Sequence, residues 1–183
     1  MKTKITAILL TVTMLLSLTA CGSKPVETKF SIPENATAVD VMNAIYPFDL
    51  PVPEGAEFSK PHRYDGMLDG TNANEIGIVD AALGGFSVLD TLTNGIIYIF
   101  KIDTTSDIAK LNPDDTFVIH SYKMEEEFPD CPGIGDFEYT VTAINKEYIL
   151  AIYETRDRND RSRTNPPFAI EQDQKVYENF LEI

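Results

Sequence analysis

The chain has 183 residues, with 29 acidic side chains against 15 basic ones and a formal net charge of −14. Such a surface repels nucleic acid and anionic lipid, which excludes functions built on binding either by charge. Two cysteines make no disulfide framework, so the core itself, drawn from 43% hydrophobic residues, must hold the fold.

Lys2 and Lys4 give a short basic start, and the fourteen residues from Ile5 to Leu18 carry no charge. A membrane-spanning helix needs about 20 apolar residues, so this run is too short to be one. A basic start, an apolar middle and small residues before a processing point make a secretory leader. Leu18-Thr19-Ala20-Cys21 then resembles the lipobox of bacterial lipoproteins. The resemblance implies cleavage between Ala20 and Cys21 and a diacylglycerol on the Cys21 sulfur, with the thiol acting as nucleophile. It implies a protein held at the cell membrane, on its extracytoplasmic face, by lipid. Acyl chains anchor at about 0.8 kcal/mol per buried methylene, and two suffice for stable attachment. Removing residues 1–20 leaves 163, which suits one domain. Two lysines leave with the leader and no acidic residue does, so the net charge becomes −16. That acidity favours cationic partners, although it also serves solubility alone. With Cys21 acylated, Cys131 has no partner in the chain and reads as an inert loop thiol.

Residues 21–35 mix Lys, Pro, Glu, Thr and Ser without a period, the composition of a lipidated tether. A single α+β domain is expected over 36–183. Val41, Met42 and Ile45 recur at helical spacing, with Asn35 or Thr37 as cap, and predict a helix from Thr37 to Tyr46 that Pro47 stops. Phe48 to Asn74 is rich in Pro and Gly and reads as a long loop, which either carries function or hides short elements. Ile76 to Leu83 and Ile96 to Ile102 read as strands. The second is apolar on both faces and therefore central in the sheet. Between them, Ser87-Val88-Leu89-Asp90 looks like a capping box and Asn94-Gly95 like a tight turn. Both readings pair the flanking strands antiparallel.

Thr105 to Leu111 predicts a short helix, Thr116 to Lys123 a strand, and Met124 to Asp136 a loop. Phe137 to Ile144 and Glu147 to Glu154 form the clearest hairpin, turning at Asn145-Lys146. Arg156 to Arg163 is a charged loop. Ile170 to Leu181 predicts a last helix, with Ile170, Tyr177, Phe180 and Leu181 on one face. This order argues for α+β: a mostly antiparallel sheet of about five strands with helices packed on one face.

With these elements placed, Tyr64-Asp65-Gly66, Asn74-Glu75-Ile76, Ile97-Tyr98-Ile99-Phe100-Lys101-Ile102-Asp103 and Lys146-Glu147-Tyr148-Ile149-Leu150 resemble a group of small lipoproteins of Gram-positive gut bacteria. The likeness covers the middle of the mature chain. The group brings no activity with it.

Catalytic chemistry needs groups that meet, and few are available. His62 and His120 show no metal-binding spacing. His120 alternates within a strand and reads as a hydrogen-bonded structural residue, and His62 as a solvated one. Asp65 to Glu75 is rich in oxygen ligands but fails the EF-hand register, with Ala73 at the fifth position and its glycine misplaced. No metal or cofactor is expected. Gly85-Phe86-Ser87-Val88-Leu89 begins like a nucleophile elbow and lacks its second glycine. Arg156, Arg158, Arg161 and Arg163 are interleaved with Asp157 and Asp160, which dilutes the one basic cluster. Strand tyrosines fit a ligand-binding face or an ordinary half-buried sheet. The first expectation is a lipid-anchored, non-catalytic binding or interaction module with a protein or peptide partner. The alternative is an envelope hydrolase with a site in residues 48–74. The candidate binding residues there are His62, Tyr64, Asp65 and Asp69. A third reading, an accessory subunit of an envelope complex, would need a large exposed apolar patch.

Overall fold

A computed structural model describes residues 30–51, 54–88, 93–155 and 167–183. The leader, the lipobox, most of the tether and the Arg156–Arg163 cluster lie outside the described residues.

The first helix, α1 (Ala38–Ile45), starts at a capping box. The Thr37 hydroxyl accepts the Asp40 N–H at 3.2 Å, and Asp40 Oδ2 accepts the Thr37 N–H at 2.9 Å. Its buried face is Ala38, Val41, Met42 and Ile45. The expected long loop after it holds a strand, β1 (Ala56–Arg63), and two single-turn helices, α2 (Asp65–Leu68) and α3 (Ala73–Ile76). Gly77 ends α3 with φ +98°, and a Cβ there would collide with the Ser106 side chain, so the residue must be glycine.

Then come β2 (Ile78–Val88) and β3 (Thr93–Ile102), paired antiparallel as expected. Both are longer than their apolar cores suggested. Ser87 and Val88 belong to β2 rather than to a helix start, and Asn94-Gly95 lies inside β3 rather than in a turn. Asp107–Lys110 is a 3-10 turn, followed by β4 (Thr116–His120). The predicted strand ends early, and its last two residues open a helix, α4 (Tyr122–Glu127), that runs into the predicted loop and is capped by the Ser121 hydroxyl, which accepts the Met124 N–H at 3.3 Å. The chain closes with β5 (Asp136–Thr140), β6 (Ala143–Asn145), β7 (Tyr148–Thr155) and α5 (Pro167–Leu181).

The fold is α+β. Its main sheet has five strands in the order β1-β2-β3-β7-β6, every pair antiparallel, and β4 and β5 form a separate two-stranded sheet. β3 is central, as its two apolar faces predicted. Ile97 and Ile99 face α1 and α5, in one core with Val41, Met42, Leu150, Val176 and Phe180. Phe100 and Ile102 face the other way, in a second core with Ile119, Tyr139 and Ile149. The two longer helices thus share one face as expected. The short helices α2 and α3 and the two-stranded sheet cover the other, because both faces of an apolar strand need a layer. Phe30 and Ile32, assigned to the tether by composition, pack against the helical-face core.

The buried face of α5 differs from the predicted one. Phe180 is buried as predicted, together with Gln172, Val176 and Asn179, whereas Tyr177 and Leu181 are exposed and the Ile170 side chain lies outside the described residues. Two polar residues on the inner face hid its period. Asn179 is there for a reason: its amide donates to the Ile45 carbonyl at 2.9 Å and so caps the end of α1.

Candidate functional site

Three separate stretches are zipped side by side on the sheet face opposite α1. Asn72 N–H donates to the His120 carbonyl at 2.9 Å, and Asn72 Oδ1 accepts the His120 N–H at 2.8 Å. Tyr122 N–H donates to Gly70 O at 2.9 Å, and Ser121 N–H to Gly135 O at 2.8 Å. Gly135 is forced by this approach, since a Cβ there would sit 2.6 Å from the Ser121 carbonyl oxygen. The zip brings α2, α4 and the start of β5 round one groove of about 580 Å³. Tyr64 and Met67 form one wall, Lys123 and Met124 of α4 another, and Phe137 of β5 closes the third side. Asp69 and Glu127 add negative charge against the single Lys123 ammonium. The arrangement is amphipathic: aromatic rings and thioethers pack apolar groups, and three charges select among polar ones.

His120 holds this groove together. Its Nδ1 lies 2.7 Å from Asp136 Oδ1 and its Nε2 lies 3.1 Å from Glu125 Oε2. Those two carboxylates belong to β5 and α4, so one imidazole ties two walls together. Both hydrogen bonds favour the protonated ring, Asp136 most, and raise its pKa above the usual histidine value. With both nitrogens engaged, His120 is not placed as a general base.

Phe137 also borders a second cleft of about 470 Å³. This one lies between β5 and the far half of β7. It arises because the predicted hairpin pairs only near its turn. Ala143 opposes Leu150 and Asn145 opposes Tyr148, so the turn is Lys146-Glu147, with the positive φ of 53° on Lys146 rather than Asn145. Thr142 N–H also donates to Leu150 O at 2.8 Å, so two residues, Thr142 and Ala143, oppose one, the pattern of a β-bulge. Beyond the bulge the strands part. β5 crosses to pair with β4, while β7 stays on β3. The Thr142 hydroxyl accepts the Ile152 N–H at 3.0 Å where the next ladder bond would have been.

Behind both concavities lies an aromatic cluster. Tyr98 stacks on Phe100 at 5.8 Å, and Tyr139 meets Tyr98, Phe100 and Phe117 at 5.0, 5.1 and 5.5 Å. Burial pushes the Tyr98 phenol up to about 12 and raises that of Tyr139 as well, so both stay neutral donors. No family model, curated protein or solved structure matches the chain. The site is therefore read from its own geometry.

The four sequence candidates separate. Tyr64 and Asp69 line the groove. Asp65 pairs with Arg63 at 3.2 Å. His62 sits exposed on β1, its Nδ1 3.1 Å from the Lys60 carbonyl oxygen, and joins neither His120 nor a carboxylate. Ser87 lies in β2, not on an elbow. α2 and α3 occupy much of the oxygen-rich stretch from Asp65 to Glu75, and among the described residues no three His, Cys, Asp or Glu side chains are grouped to hold a metal. No described helix is long and apolar enough to cross a membrane.

Lys123, Met124 and Phe137 were missed: Lys123 read as the end of a strand, Met124 as the start of a loop, and Phe137 as an ordinary residue of the hairpin. A signal existed: Ser121 is a good cap, and the residues that follow it, Lys123 to Glu127, are good helix formers. The parting of β5 from β7 has no comparable local signal.

Proposed function

We propose that the protein is a membrane-anchored, extracytoplasmic binding module. Its lipid attachment is Cys21, and it engages a protein or peptide partner through the sheet face opposite α1 and α5. The observation that carries this reading is the pair of adjoining concavities that share Phe137. Their walls are aromatic, Met and mixed-charge side chains, a composition suited to recognition. Phe137 is 40% exposed and Tyr153 is 53% exposed, which leaves two large rings in contact with water on this face. The leader and lipobox support attachment at the outer surface.

The test places a photo-crosslinking phenylalanine analogue at Phe137 and, as a control, at exposed Glu171 of α5, in intact cells. A defined partner band from the Phe137 position and none from Glu171 supports the reading. Equal patterns from both positions overturn it.

A further inference from the structure

We infer that the cleft between β5 and β7 is a strand-addition site for an extended, basic peptide. The inference rests on the binding-module reading and names the partner class.

Consider the edges first. An unpaired strand edge is a template for another strand, and proteins guard such edges. The outer edge of β1 carries Lys60, Pro61 and a register irregularity between Ser59 and His62. β4 is clamped by Asn72. β6 has only three residues, and Asn145 ties it to the end of α5 through the Phe180 carbonyl at 2.9 Å. Among the described residues the far half of β7 carries one such device, the Thr142 hydroxyl that takes the Ile152 N–H. The sequence of this half, Ile152-Tyr153-Glu154-Thr155, has high strand propensity and contains no Pro or Lys.

The backbone direction follows from alternation. Leu150 O accepts from Thr142, so Leu150 faces β6, and Ile152 and Glu154 face the same side. Ile152 N–H goes to Thr142 Oγ1. That leaves Ile152 C=O and both backbone groups of Glu154 facing the cleft, where no described strand pairs with β7. A strand lying here would complete the ladder that the bulge interrupts.

The occupant's chemistry comes from the walls. Tyr98, Phe137, Tyr139 and Tyr153 offer rings to every second side chain of an extended chain. Among the described residues, Asp136 and Glu138 are the charged residues of the lining, and no basic residue joins them. Asp136 also carries the bond to His120 from β4, with Glu125 of α4 on the other ring nitrogen, while Glu138 has no hydrogen-bond or ion-pair partner among the described residues. The net charge of −14 adds long-range attraction for a cation. A peptide alternating basic and apolar residues therefore fits both the spacing and the sign.

The test uses the full chain in detergent and a fluorescent peptide of about eight residues alternating lysine and valine. It is long enough to cover the ~13 Å that four β7 residues span. Its fluorescence anisotropy should report saturable binding. Methylating alternate backbone nitrogens of the peptide, which removes ladder donors and leaves the charge, should weaken binding about tenfold or more. A glutamate–valine peptide should not bind. Glu154→Pro removes a donor that β3 does not use and should weaken binding similarly. Hydrogen exchange on the unmutated protein should show the Glu154 amide protected at saturation, a readout independent of that variant's folding. Equal binding of the methylated peptide overturns strand addition while leaving a binding module in place. No binding of any peptide overturns the peptide as occupant, whatever the crosslink from Phe137 shows. Concentration-dependent dimers that Glu154→Pro abolishes overturn it in favour of a second copy.

Discussion

Replacing Asp80 by Ala should undock the start of α1 while sparing the sheet beneath the aromatic face. Asp80 is 8% exposed and projects from β2 to the first turn of α1. Its Oδ2 accepts the Ala38 N–H at 2.8 Å, and its Oδ1 lies 3.2 Å from Arg63 Nε. A hydrogen bond to a charged group contributes ~1.5–3 kcal/mol, with the carboxylate also facing the positive end of the helix. The Arg63 side chain is 59% exposed, so its ion pair adds only ~0–1 kcal/mol once screening is counted. Asp80→Ala should therefore cost about 2–3 kcal/mol. For a domain of this size that lowers Tm by roughly 4–10 °C. Asp80→Asn keeps an acceptor oxygen and should cost about half as much, and Arg63→Ala less than about 0.5 kcal/mol. Urea unfolding at constant m-value, followed by circular dichroism, measures all three. A loss below about 0.5 kcal/mol for Asp80→Ala refutes the helix-capping account. So does an Arg63→Ala effect as large as that of Asp80→Ala.

The His120 clamp makes stability depend on pH. The folded pKa is raised above the ordinary histidine value of about 6.5 by Asp136 and Glu125, so its contribution is full below about 6.5 and is lost as pH climbs through the folded value. The gap in urea midpoint between the wild type and His120→Gln should shrink from pH 6 upward, and a gap that widens would contradict the clamp. Gly135→Ala must push its new Cβ against the Ser121 carbonyl and His120 Cε1, sites 2.6 and 3.2 Å away. A loss of about 1–3 kcal/mol is expected, and wild-type stability would show that the zip is looser than drawn. Cys21→Ala should move the protein out of the membrane fraction and abolish incorporation of labelled palmitate; retention of label would remove the anchor from Cys21.

Period and punctuation carried most of the architecture. Val41, Met42 and Ile45 announced α1, and the doubly apolar run from Ile96 to Phe100 announced the central strand, because burial on two faces leaves no other reading. Two kinds of residue defeated the same logic. Gln172 and Asn179 are polar on the buried face of α5, and Asn179 is there for a tertiary contact, its bond to the Ile45 carbonyl, rather than for helical period. Gly84, Gly85 and Gly95 read as punctuation but lie inside strands. Gly85 is there because a Cβ would run into the Gly95 carbonyl across the β2–β3 pair, and Gly95 because a Cβ would run into the Phe86 ring. The groove was half legible. Tyr64 and Asp69 were named from the loop-rich stretch, but the residues opposite them come from α4 and β5, and the backbone pairings of Asn72 with His120, Gly70 with Tyr122 and Ser121 with Gly135 bring them across.

The parted hairpin shows why such a cleft survives. Phe100 and Ile149 face away from α1 and α5 and need cover. Phe117, Ile119 and Tyr139 supply it from the two-stranded sheet, which exists only because β5 leaves β7 to pair with β4. The gain is a closed second core, and the cost is an edge on β7 that no described strand pairs. In most proteins such an edge invites self-association. Here every copy carries the same excess of acid, so two copies repel as they approach. That repulsion acts on acidic partners alone. The charge that keeps like chains apart leaves the edge open to a cationic strand, so one property serves both solubility and selection.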